Sequence, residues 1–183
     1  TGRVYLDFLN QVHARVHQRG RRMQYWGDIA LEYPELIPEL PSDALALLWG
    51  YEAGHPFEEN AGTFAEHGIP FCICPGTSSW QSLLGRPDNA RQNLREAAAA
   101  AVRHGAVGWL VTDWGDFGHW QPYLTAWPGL LLGASFGWNA AEELPGLEHA
   151  IDAVVAPNQA GLGSLLLDLG MAHQRLASPA RNA

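Results

Sequence analysis

The sequence predicts an α/β fold built on a parallel sheet, and three observations carry that expectation. Four short runs are almost continuously apolar, at residues 23–26, 44–49, 69–74 and 106–112. Strands buried on both faces of a parallel sheet read this way, whereas half-solvated strands alternate apolar and polar residues. Helical patterns separate the runs, and strands alternating with helices imply βαβ units. A cluster of polar, aromatic and glycine residues follows each run: Trp26-Gly-Asp28, Trp49-Gly-Tyr51-Glu52, Pro75 to Trp80, and Asp113-Trp114-Gly-Asp116.

In chain order, the first helix is expected over 5–19, with Leu6, Leu9, Val12 and Val16 along one face. Gly20 breaks it before the first strand, and the Pro41-Ser42-Asp43 cluster precedes the second. A helix over 57–67 ends at Gly68, before the third strand. The next runs over 88–104, alanine-rich, with Asp88 as its N-cap, and Gly105 separates it from the fourth strand. The apolar stretch 123–138 is helical in character, interrupted by Pro128 and two glycines. Helices over 147–155 and 162–176 close the pattern, and the small polar run 178–183 reads as a disordered end.

Two architectures share this order, a doubly wound open sheet and a barrel. A dinucleotide-type open sheet usually carries a Gly-rich turn, and no G-x-G-x-x-G occurs here. Barrels build their sites from the loops after each strand, and eight units take about 250 residues. Four units therefore predict half of a (β/α)8 TIM-type barrel over residues 1–143, with a helical extension over 144–183 packing on it.

Composition narrows the partners. The 183 residues are 47% hydrophobic and 16% charged, a globular balance. A formal net charge of -8 argues against nucleic acid or anionic lipid, and no run of apolar residues is long enough to span a membrane. Cys72 and Cys74 stand two apart on an expected strand, where disulfide geometry is rare. They read as small core residues, and no metal or cofactor is expected. The chain opens on Thr-Gly-Arg without an initiator Met, so the natural protein is expected to be longer.

The clusters suit a neutral sugar. Four of the eight tryptophans, Trp26, Trp49, Trp80 and Trp114, fall at or just after strand ends. Aromatic planes pack on the C–H faces of a pyranose, while carboxylates such as Asp28, Glu52, Asp113 and Asp116 accept from its hydroxyls. Each residue also has a plainer reading: a Trp can fill a core, and Asp28 or Glu52 can cap a helix. His119 is more often a hydrogen-bonded structural residue than a catalyst. Thr77, Ser78 and Ser79 read as loop-ordering groups, since no G-x-S-x-G elbow is present, and Arg86 as a clamp on a carboxylate.

In the strings YWGDI (25–29), LLWGYEAGHPF (47–57), CPGTSSWQSLLGR (74–86) and TDWGDFGHWQ (112–121), the sequence resembles glycoside hydrolase family 20, the β-N-acetylhexosaminidases. The resemblance covers strands five to eight of that family's barrel. It implies a retaining, substrate-assisted reaction, in which the substrate's acetamido carbonyl attacks the anomeric carbon and an Asp-Glu pair orients it and supplies the acid and base. That pair ends the family's fourth strand, which by order of elements precedes Thr1, so no acid or base is carried onto this chain. By position, Trp26, Trp49 and Trp114 resemble the pocket walls, and Asp116 resembles the acid that holds the sugar's distal hydroxyls. The family's Tyr that contacts the acetamido group has no match in Cys74-Pro75-Gly76-Thr77.

Three functions follow as expectations. The first is removal of terminal N-acetyl-β-hexosamine by the complete protein. The second is another glycosidase using Glu52 with Asp116. The third is a silent sugar-binding half-barrel, whose open strand edges would favour a homo-oligomer.

Overall fold

The structure, a computed structural model, describes residues 1–175. The last residue of the helix expected over 162–176, and the run 178–183, lie outside the described residues. The order is α1 (Gly2–His17), β1 (Gln24–Trp26), α2 (Asp28–Leu31), a 3₁₀ segment (Pro34–Glu39), β2 (Leu45–Trp49), α3 (Phe57–Glu66), β3 (Phe71–Cys74), α4 (Pro87–His104) and β4 (Gly108–Trp109). A second 3₁₀ segment (Tyr123–Ala126) leads into α5 (Trp127–Trp138), followed by α6 (Leu147–Val155), α7 (Leu162–Gly170) and a last 3₁₀ segment (Met171–Arg175). The fold is thus mixed α/β around a four-stranded parallel sheet in the sequential order β1-β2-β3-β4.

The chain forms two compact units that interleave along the sequence: Thr1–Trp49, Pro56–Cys74 and Ala100–Leu110 in the first, Gly50–His55, Pro75–Ala99 and Val111–Ala183 in the second. The expected boundary between residues 143 and 144 falls inside the second.

The first unit holds the whole sheet. Every residue of β3, and all of β2 but Trp49, is buried, which is why both runs are apolar without alternation. Tyr25 of β1 pairs with Ala46, and Leu47 with Cys72, in parallel register. The fourth run is apolar over seven residues, yet only Gly108 and Trp109 form strand, opposite Cys72 and Ile73. Gly108 leaves room for the Cys72 thiol, since a Cβ there would stand 2.2 Å from its Sγ and force it to turn. Phe57, Ala61 and Phe64 give α3 its buried stripe at helical spacing. On α1 the expected face is buried at Leu6 and Leu9 and only half-buried at Val12 and Val16.

Both cysteines are free and buried, as their small-core reading expects. Burial first, then the neighbouring Cys72 thiol, pushes the Cys74 thiol up to about 12, so it is inert at neutral pH.

In the second unit the breaks in the 123–138 stretch acquire reasons. Pro128 lies in the first turn of α5, where a missing N–H costs nothing. Gly129 faces Thr77, whose Cα would be 2.6 Å from a Cβ, and Gly133 faces Val111 at 2.5 Å. The two glycines let a helix backbone lie directly against the loop segments after β3 and β4. Asp88 is not an N-cap: α4 begins one residue earlier, and its carboxylate instead meets Gln174 Nε2 at 2.6 Å and His173 Nε2 at 3.3 Å. Asp152 of α6 accepts the N–H groups of Gly161 and Gly163 at 2.8 and 2.7 Å, tying α6 to the start of α7.

Candidate functional site

Three loop segments of the second unit, residues 50–55, 75–86 and 111–121, are tied together by side-chain hydrogen bonds, some of them from Asn89, Asn93 and Tyr51, which the sequence does not single out. Asn89 and Asn93 stand one turn apart on α4, and both are buried. Asn93 donates to the carbonyls of Gly50 (3.1 Å) and Glu52 (3.0 Å) and accepts the Gly76 N–H (3.2 Å). Asn89 accepts the Ala53 N–H (2.9 Å) and donates to the Tyr51 carbonyl (2.7 Å) and Ser78 Oγ (2.8 Å). An amide carries donors and an acceptor together, so each Asn can hold two loops at once. Ser78 needs that hold, for it sits buried in the left-handed region at φ 57.

Glu52 and Arg86 form a bidentate pair, with Arg86 Nη2 donating at 2.7 Å and Nη1 at 3.0 Å. Arg86 is the clamp the sequence suggests, and the carboxylate it holds is a site candidate. Both Glu52 oxygens accept from the guanidinium, so Glu52 fixes a loop instead of capping a helix.

The corner formed by Asp113 and Trp114 is the most elaborated part. Thr112 extends the parallel pairing, bridging to Gly76, with its N–H on the Pro75 carbonyl at 2.9 Å. Thr77 and Ser79 both donate their hydroxyls to Oδ1 of Asp113. The other oxygen, Oδ2, faces the His119 Nε2 at 3.8 Å. Trp114 Nε1 donates to the hydroxyls of Tyr51 (3.0 Å) and Thr112 (3.1 Å), which fixes the plane of an indole left 37% exposed. Tyr51 is itself buried and stands edge-on to Trp80, with ring centroids 5.1 Å apart.

Trp80 departs from the expectation. It is fully buried, packed on Tyr51 and over Gly76, where a Cβ would lie 2.5 Å from its ring. Its faces contact protein, so it supports the corner instead of walling a pocket. Asp116 is exposed, one residue before the left-handed Phe117 (φ 58). His119 is exposed and folds back over Gly115.

The remaining candidates belong to the first unit. Trp26 ends β1 and is 39% exposed. Asp28 is the first residue of α2 with Gly27 as N-cap, so it sits in the first turn and not at the cap. Trp49 ends β2 and packs against the cluster of Leu45, Leu47, Cys72 and Cys74, so it serves the core in part.

The sequence held one signal for the missed residues. Asn89 and Asn93 interrupt an alanine-rich helix at the spacing of one face. Tyr51 has no such signal, since its role depends on Trp114, far along the chain.

No protein-family model matches the chain, and no curated protein matches it.

Proposed function

We propose that this chain contributes a sugar pocket to a glycoside hydrolase that removes terminal N-acetyl-β-hexosamine, within a (β/α)8 barrel. The observation that carries the reading is the Asp113–Trp114 corner: a partly exposed indole fixed at its N–H edge, beside a carboxylate whose outer oxygen is not taken up by the loop hydroxyls. A sugar's C–H face stacks on such a plane, and its hydroxyls donate to Asp113 Oδ2 and to Asp116. The sequential strand order supports the barrel, since a doubly wound sheet reverses its order at a switch point and these four strands do not.

This reading takes the acid and base from an Asp-Glu pair of the kind the resemblance implies, which is not among these 183 residues. The substrate's acetamido oxygen then acts as the nucleophile, and this chain's residues bind and orient the sugar. The experiment is an assay of the complete protein on aryl N-acetyl-β-glucosaminides and galactosaminides. Turnover is expected on one or both. Failure on both, with cleavage of another glycoside, overturns the reading.

One observation favours a second reading, a sugar-binding module without turnover. Glu52 is held at both oxygens by Arg86, and a carboxylate so engaged is a poor base or nucleophile, which also weighs against a glycosidase using Glu52 with Asp116. Sugar binding by the complete protein, without hydrolysis of any glycoside, would establish it.

A further inference from the structure

The first unit brings together two imidazoles and a carboxylate. His13 and His17 lie one turn apart on the last part of α1, with ring centroids 6.0 Å apart. Asp43, two residues before β2, meets His13 Nε2 through Oδ1 at 2.8 Å and His17 Nδ1 through Oδ2 at 3.6 Å. One ligand atom from each residue falls within 4.8 Å of the other two.

We propose that His13, His17 and Asp43 bind a divalent transition-metal ion of the zinc type. With bonds of about 2.0–2.2 Å, tetrahedral ligand atoms stand roughly 3.3–3.5 Å apart. Asp43 meets the two imidazoles through different oxygens, Oδ1 at 2.8 Å and Oδ2 at 3.6 Å, so a single ligating oxygen reaches that spacing from both once the carboxylate and His17 turn. The remaining adjustment falls on side chains with room to turn: His17 is 73% exposed and Asp43 55%. The backbone at Asp43 is already pinned, since its carbonyl accepts Arg22 Nε at 2.8 Å. Two imidazoles and one carboxylate suit zinc, cobalt, nickel or copper, whereas magnesium and calcium want oxygen ligands.

Three protein ligands leave a position for water, and the site opens on a recess lined by His17, Gly20, Arg21, Arg22 and Asp43. The two arginines add positive charge, so micromolar affinity is expected, weaker than that of a closed four-ligand site. The ion clips the C-terminal turn of α1 to the entry of β2, closing a long loop between them. Nothing in this inference depends on the sugar reading.

The test is titration of the native full chain with Zn2+ by calorimetry, and with Co2+ by visible absorption. One equivalent is expected to bind, with d–d bands for Co2+ and no binding of Mg2+. His13→Ala, His17→Ala and Asp43→Asn should each weaken Zn2+ at least about tenfold, since even groups that only support ligands cost that much. His149→Ala, an exposed histidine outside the cluster, should bind as the native chain does, and circular dichroism should be unchanged in all four. Absence of micromolar Zn2+ binding, or binding that the three ligand substitutions leave unchanged, overturns the proposal.

Discussion

The β2–β3 region and the loop segments of the second unit are held by opposite means. Ala46, Leu48, Ile73 and Cys74 are at or near complete burial and are held by packing. Thr77, Ser78, Ser79, Asn89 and Asn93 are as buried but polar, and are held by hydrogen bonds that pair residues far apart in the chain. Packing tolerates exchange among apolar side chains of similar size. A buried polar lattice does not, because removing one partner leaves the other desolvated and unpaired.

The largest effect is expected in the packed region. Phe64→Ala should cost about 3–5 kcal/mol, the usual range for a buried Phe, whereas a similar-sized apolar residue should cost well under half of that. Urea unfolding followed by tryptophan fluorescence reads both. Near-equal losses would show that α3 is not governed by volume.

Next comes the clamp. Arg86→Ala should cost about 3 kcal/mol, at the low end for a broken buried pair because Glu52 keeps 24% exposure. Adding Glu52→Gln should return part of the loss, as the unpaired charge is then gone. Strict additivity in that cycle would mean the two do not act as a pair.

Asn93→Ala should follow at about 2 kcal/mol, since the Gly50 carbonyl and the Gly76 N–H lose their partner while the Glu52 carbonyl keeps the His55 N–H. Hydrogen exchange sharpens the comparison here: the Gly76 amide should exchange faster while amides of β2 stay protected. Uniform acceleration would make the loops and sheet one cooperative unit.

The smallest effect is one of pH. Burial pulls the His55 imidazole below its ordinary value, against the opposing charge of Glu96. The unfolded chain therefore takes up the proton first, near pH 6.5. Stability from neutral His55 is complete above that pH and declines as pH falls toward the folded value. His55→Asn should flatten stability across that window, and an unchanged slope would assign it to other groups.

This contrast also explains what could be read from the sequence. The long helices and the four strand positions were legible, because burial on both faces leaves an apolar run and an amphipathic helix leaves a period. The length of β4 was not, since the run 106–112 is apolar throughout and only its pairing with Cys72 and Ile73 sets the strand. At the candidate site, Asp113 and Trp114 stand out in the sequence by their place after a strand, and the Arg86 clamp on a carboxylate is met by Glu52. Trp80 was misread because an indole looks the same in sequence whether it walls a pocket or fills the space under Tyr51 and Gly76. Tyr51, Asn89 and Asn93 matter through partners that only folding supplies.

The central claim is that Trp114 and Asp113 form a sugar platform, and N-acetylglucosamine titrated into the full chain under native conditions tests it most directly. The sugar should perturb the Trp114 indole N–H resonance and bind saturably, while Trp114→Ala abolishes binding with little change in stability. Saturable binding that survives Trp114→Ala, or no binding by the native chain, would contradict the account.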